Sequence, residues 1–276
     1  MNFCKLLILT IFVNQCVAAS LAQAQEKENP DIIFESADDS DVSIFIVLKD
    51  LPGQKFLFTV PEIFMAENFK DGIFNADLTP WRFKGNTIFR KVRRNRLAYQ
   101  VDMSAHQKDN IYWISWTINF ENKSKDTIRN LSAFNCLTMH HAPLFKDTSM
   151  LHTWVKDAAG DTISLKSVER LTGGGRRTMQ FYPSANGIKD LHTIPWLRDW
   201  QVISPQTLSG NSMWLYSPDK QWKIETISKG NNQPAFFFNN WEHDHGCIHS
   251  SPLVGEKIAP EATAEVSGEF RFTKLF

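Results

Sequence analysis

The stretch "NNWEHDHGCIHSSP", Asn239–Pro252, gathers three histidines, a cysteine, a glutamate and an aspartate between Trp241 and His249. In an extended chain, His243, His245, Cys247 and His249 recur at a period of two and point to one side. Such a row supports two chemistries. Imidazole, thiolate and carboxylate groups are ligands for zinc, iron or copper. The same histidines, with Glu242 and Asp244 beside them, can hold their pKa values apart and act as general acid and base.

The metal reading makes a geometric demand. Residues two apart on a strand have Cβ atoms about 7 Å apart, so one tetrahedral ion reaches two of the four side chains. A third ligand must come from elsewhere, and His140 and His141 in "CLTMHHAPLF" are the available donors. Cupin-type sites pair an H-x-H with a distant histidine and a glutamate, but their spacing and glycine-rich consensus are absent here.

A polar cleft without metal asks for less. His243, His245, Glu242 and His141 would be its catalytic groups, and Trp241, His249 and His140 its walls. The middle of the chain, "RLTGGGRRTMQFYPSANGIKDLHTIPWLRDW", is rich in glycine and proline and too aromatic to be disordered. It contributes Arg176, Arg177 and Arg198, whose guanidinium forks suit a uronate carboxylate. Tyr182 and Trp196 add flat aromatic surface, which suits the C–H face of a sugar ring. A third alternative is that "EHDHG" is a polar loop at a strand end, with Gly246 in its turn. A non-catalytic binding module is the matching functional alternative.

These groups must be positioned by strands, since nearly every periodic segment alternates with period two. "DVSIFIVLKDL" and "QKFLFTVPEIF" open the series, and "TIFRKVRRNRLAYQVDMSA" and "NIYWISWTINFENKS" read as a pair of long strands. The latter puts Tyr112, Ile114, Trp116 and Ile118 on one face and Trp113, Ser115, Thr117 and Asn119 on the other. "IRNLSAFNCLTMHH" follows, then hairpins about "AAGD" and "SPDK", then "QPAFFFNNW". The last strand, "EATAEVSGEFRFTKLF", is expected to bulge at Gly268. Pro61 and Gly72 bracket a candidate short helix in "VPEIFMAENFKDG". The fold expected is all-β, a large antiparallel β-sandwich with few short helices.

Lys5 followed by "LLILTIFV" and then small residues reads as a secretory signal peptide over residues 1–24, leaving one β-sandwich domain over 25–276. The apolar run is far shorter than the ~20 residues that span a bilayer. No stable membrane anchor is therefore expected, and the chain is expected to be secreted or periplasmic. "VNQC" is a poor lipobox. Export would leave Cys136 and Cys247 where disulfides form. Paired, they would close a loop of more than a hundred residues, worth about 4 kcal/mol in the chain-entropy model; unpaired, Cys247 is a ligand or a small buried hydrophobe. Thirty lysines and arginines balance thirty aspartates and glutamates, so no nucleic-acid partner is expected. The cluster "RKVRRNR", Arg90–Arg96, is a solvated face or a grip for an acidic ligand. Nine tryptophans are many for this length, and they serve as core or as sugar platforms.

The segments "GCIHSSP" and "GEKIAPEATAEVSGEFRF", with "WISWTINFENKSKDTIRNLSAFNC" before them, together resemble the galactose mutarotase-like β-supersandwich superfamily. Pro260, Glu261 and Thr263 match its "PGET"-like stretch in part; Ala262 interrupts it and the usual glycine is missing. The resemblance implies a sugar or polysaccharide ligand on the concave face of a large antiparallel sheet. Many members are epimerases, and relatives of the fold include polysaccharide lyases and carbohydrate-binding domains. An epimerase would take His141 or His243 as acid and Glu242 as base. A lyase would need a base such as His245 or Tyr182, with Arg177 neutralising the uronate. Neither scheme requires a cofactor, and a zinc or other transition-metal enzyme is the alternative.

Overall fold

The computed structural model describes residues 31–37, 43–68, 73–74, 80–94, 96–171, 179–200, 202–230, 232–241 and 246–276. The N-terminal leader and the candidate residues Arg176, Arg177, Glu242, His243 and His245 lie outside them.

The strands in chain order are β1 (Ile32–Ser36), β2 (Ser43–Leu48), β3 (Lys55–Met65), β4 (Ile73–Phe74), β5 (Arg82–Lys84), β6 (Thr87–Arg93), β7 (Leu97–Lys108), β8 (Ile111–Asn122) and β9 (Ile128–Thr138). They continue with β10 (Thr153–Asp157), β11 (Thr162–Ser164), β12 (Met179–Pro183), β13 (Leu208–Tyr216), β14 (Trp222–Ser228), β15 (Phe236–Asn240), β16 (Cys247–Ser250), β17 (Leu253–Ile258) and β18 (Thr263–Lys274). They form two nine-stranded sheets whose strand ladders are antiparallel. The first has the order β1-β2-β3-β9-β16-β15-β12, with β17 also on β9 and β4 on β3; the second is β11-β10-β13-β14-β18-β8-β7-β6-β5. The fold is thus the expected all-β sandwich. Among the described residues no helix is long and apolar enough to cross a membrane.

Alternation fixes which face of each sheet is buried. On β8 the residues Tyr112, Ile114, Trp116 and Ile118 are buried and Trp113, Ser115 and Thr117 are half-buried on the opposite side. The two inner faces meet through aromatic rings. Phe58 lies edge-on to Phe270 at 4.4 Å, and Phe64 contacts Phe120 at 5.2 Å and Tyr99 at 5.1 Å, in the tilted arrangements that aromatic quadrupoles favour.

A second, smaller core lies on the outer face of the first sheet. Ile63, Met65, Phe134, Phe181, Phe236 and Phe238 are covered there by Ile188, Leu191, Ile194, Leu197 and Val202. These come from the segment between β12 and β13, which holds the turn Leu191–Thr193 and the helix Pro195–Trp200. The segment expected to be irregular therefore contains a strand, β12, and a lid of short helical turns.

Two local expectations are corrected. The start of the candidate helix after Pro61 is strand as far as Met65, and its end lies outside the described residues: Val60 and Phe64 pack into the main core, Ile63 and Met65 into the second, so the apolar run is covered on both faces and lacks the alternation of a half-exposed strand. Pro61 falls where the β3–β9 register shifts between Thr59 and Ile63, an irregularity that tolerates its missing N–H. Gly268 is no bulge either, since β18 pairs with β8 in unbroken register from Thr263 to Thr273.

Candidate functional site

The half of the histidine row that the structure describes is turned inward. Cys247 and His249 share one face of β16, and Cys136 on β9 stands directly opposite His249. His249 is 4% exposed. Its ring stacks on Phe134 at 4.3 Å and meets Phe238 edge-on at 4.4 Å, while its Nε2 lies 2.8 Å from Cys247 Sγ. Glu62, in the irregular part of β3, is hydrogen-bonded to Cys136. Cys136 and Cys247 are free thiols, 4.1 Å apart. The expected disulfide is therefore corrected: the strands bring the cysteines together, but at about twice the 2.05 Å of an S–S bond.

The electrostatics of this cluster follow from its burial. Burial raises the Glu62 carboxyl above the usual range, against the pull of His249. Cys136, half-buried and directed at the Cys247 sulfur, is held well above the ordinary thiol value. Cys247 goes the other way: burial pushes it up, but the Cys136 thiol and the adjacent His249 together bring it well below. A proton on Cys136 and a thiolate on Cys247 is the arrangement these contacts favour.

The remaining cleft residues do not converge. His140 and His141 are exposed, edge-on at 4.5 Å, with His141 also against Phe45 at 5.2 Å. The main-chain bonds from Lys55 N to His141 O and from Met139 N to Gly246 O fix this turn beside the start of β16. Trp241 is half-buried with the Arg170 guanidinium 5.2 Å from its ring centroid. Tyr182 points into the main core and is fully buried; burial pushes its phenol far up, so it is neither a wall of a cleft nor a ready base. Arg198 is exposed on the helix that also carries Trp196, on the far side of the first sheet.

Sequence reasoning missed a different surface, the outer face of the second sheet. The register puts Trp154 opposite Trp214, Trp214 opposite Glu225, Glu225 opposite Arg271, Arg271 opposite Trp113 and Trp113 opposite His106. Residues directly opposite in antiparallel pairs share a face. The result is one row across six strands, about 24 Å long at ~4.8 Å per strand. Lys223 links its middle, 2.9 Å from Glu225 and 5.1 Å from the Trp214 ring centroid, and Arg271 is paired with Glu269. At the far end His106 stacks on Trp113 at 5.2 Å and 14° and bonds Ser115 Oγ at 2.9 Å.

Two concavities open on this face. One, of about 560 Å³, is lined by His152, Trp154, Thr162, Trp214, Tyr216 and Lys220 together with the C-terminal Leu275 and Phe276. The other, of about 470 Å³, is lined among others by Lys91, Arg93, Gln100, Asn119 and Glu121. The basic cluster divides accordingly: Lys91 and Arg93 face this groove, while Arg90 is buried with its guanidinium 5.7 Å from the Trp81 ring centroid. The signal for this surface was present in part, since the alternation of β8 already placed Trp113 opposite to Trp116.

No family model matches the chain, and no curated protein matches it in sequence. Among solved structures it is similar to a protein from Synechocystis sp. PCC 6803, at 11% identity over 91% of this chain and 98% of that one, with a TM-score of 0.42. It is also similar to galactose mutarotase-like proteins from Lactobacillus casei (9% identity, 87% of this chain and 99% of that one, TM-score 0.43) and Clostridium acetobutylicum (6%, 90% and 100%, 0.42).

Proposed function

We propose that the protein binds a carbohydrate across the outer face of the second sheet. The observation that supports this is the in-register row Trp154, Trp214, Glu225, Arg271, Trp113 and His106. It flanks a central pair of charged groups, which can bond to hydroxyls, with flat apolar rings on which the C–H faces of sugars stack. At its Trp154 end it runs into a groove of about 560 Å³, within the range of ligand sites. A row perpendicular to the strands suits an extended saccharide better than a single ring. The N-terminal leader is the ground for proposing that this happens outside the cytoplasm.

The test is a glycan-binding screen of the mature chain, covering neutral and uronate-containing oligosaccharides, followed by titration calorimetry on the best ligand. Trp154→Ala and Trp113→Ala should each weaken binding about tenfold, or roughly 1.4 kcal/mol. Affinity unchanged in both variants would rule out this face.

Acid/base chemistry on a sugar bound instead at the β9–β16 end of the first sheet is the second reading. It rests on the exposed His140–His141 pair fixed beside Gly246, with His243, His245 and Glu242 as the groups to substitute. Epimerisation or cleavage that survives His243→Ala, His245→Ala and Glu242→Gln excludes it.

A further inference from the structure

The buried cluster on the outer face of the first sheet is assembled from three strands, and its parts do not fit a simple packed core. The ligand atoms of Cys136, Cys247 and His249 all lie within 4.8 Å of one another. The cysteine separation of 4.1 Å is close to the roughly 3.8 Å edge of a tetrahedron with ~2.3 Å metal–sulfur bonds. Two polar atoms at the same place, Glu62 Oε2 and His249 Nδ1, are buried without a partner among the described residues. Leaving such atoms unpaired is costly, and a nearby cation answers that cost for the carboxylate.

The surroundings restrict what could sit there. Phe134 and Phe238 hold the His249 ring in place, and Phe181, Phe236 and Leu191 complete an apolar shell. An apolar shell raises the electrostatic attraction for a cation and excludes water. Two sulfurs and an imidazole are soft and borderline donors, which disfavour calcium or magnesium and favour zinc or another late transition metal.

We propose that Cys136, Cys247 and His249 form a transition-metal site, for zinc or a metal of similar softness, with Glu62, hydrogen-bonded to Cys136, supporting it from beside the ligands. Binding replaces protons with bonds to the cation: Cys136 gives its S–H proton to solvent, Cys247 and His249 Nε2 give up the one they share, and each freed electron pair goes to the metal with no change of oxidation state. The site ties β3, β9 and β16 together at the point where the β3–β9 register breaks. It lies on the opposite sheet from the sugar-binding face, so its role is structural and independent of that reading.

The experiment uses the full chain without a histidine tag, purified under reducing conditions, stripped with chelator, and titrated with zinc and with cobalt(II). The expected result is about one equivalent of zinc per chain, a thiolate-to-cobalt charge-transfer band, and a higher melting temperature when loaded. Cys247→Ser should abolish the band, and Glu62→Gln should weaken zinc binding about 10–100-fold while preserving it. Reduced, folded wild-type protein that takes up neither metal would overturn the proposal whatever the variants do. So would an intact mass two hydrogens short that recovers on reduction in protein isolated with its natural redox state, because that is a disulfide.

Discussion

Gly268 on β18 stands directly opposite Trp116 on β8, and the indole occupies the space a side chain at 268 would need. A Cβ there would lie 2.2 Å from Trp116 Cζ2 and 2.6 Å from the Ile227 carbonyl oxygen. Trp116 is 1% exposed, enclosed in the main core. Gly268→Ala should therefore destabilise by about 1–3 kcal/mol, the usual cost of overpacking. The shift is read from the urea midpoint at unchanged slope, and a midpoint equal to the parent's would mean that the indole repacks at no cost.

Asp147 organises the loop that delivers His152 and Trp154 to the large groove. Its carboxylate accepts from Leu151 N at 3.1 Å, His152 N at 2.8 Å, Thr153 N at 2.7 Å, Thr153 Oγ1 at 2.9 Å and Ser149 Oγ at 2.9 Å. Hydrogen bonds to a charged acceptor are each worth about 1.5–3 kcal/mol, and their loss leaves buried donors orphaned. Asp147→Ala should cost at least about 3 kcal/mol. It should also weaken glycan binding in the fraction that still folds, with Asp147→Asn intermediate in both. Full affinity in a folded Asp147→Ala protein would separate this loop from the groove.

What the sequence made legible was local. Period-two alternation located most strands, the turns at "AAGD" and "SPDK", and the two faces of β8, because alternation is a property of one strand. That Cys247 and His249 share one face of β16 was legible for the same reason, though the burial of His249, expected as a cleft wall, was not. Cys136 was reached only as a disulfide partner of Cys247, and Glu62 was not reached at all, since β3 brings it in from far along the chain. The aromatic row is a stronger case of the same limit. Trp113, Trp154 and Trp214 lie in three separate hairpins, and only the sheet order β10-β13-β14-β18-β8 puts them in one line. Pro61 misled because β3 is apolar on both faces, and such a run has no period to distinguish strand from helix.

Tyr182 offers a test with an opposite sign. Its ring is fully buried in the main core and its hydroxyl has no hydrogen-bond partner among the described residues. Removing an unsatisfied buried hydroxyl relieves a desolvation cost and leaves almost no cavity. Tyr182→Phe should leave stability unchanged or raise it by up to about 1 kcal/mol, whereas Tyr182→Ala should lose about 3–5 kcal/mol through its cavity. A clear loss in Tyr182→Phe would reveal a partner for the hydroxyl and revive a role for it.

His141 should titrate below its ordinary value of 6.5, because partial loss of hydration against its neighbours and the charges of His140, Lys146 and Lys55 all oppose its charged form. The unfolded chain takes up that proton near 6.5, so in the window below 6.5 the unfolded state binds more protons than the folded one at this site. The sign follows: His141 contributes no pH dependence above 6.5, and stability falls as the pH drops from 6.5 toward the folded-state value. His141→Gln should flatten that part of the stability profile. The direct measurement is the NMR titration of the ring Cε1–H resonance, whose midpoint should lie below 6.5 and rise toward it in Lys146→Gln. A midpoint at or above 6.5 would mean that His141 has an anionic neighbour, and in this turn that would place a carboxylate beside the histidine pair, as the acid/base reading requires.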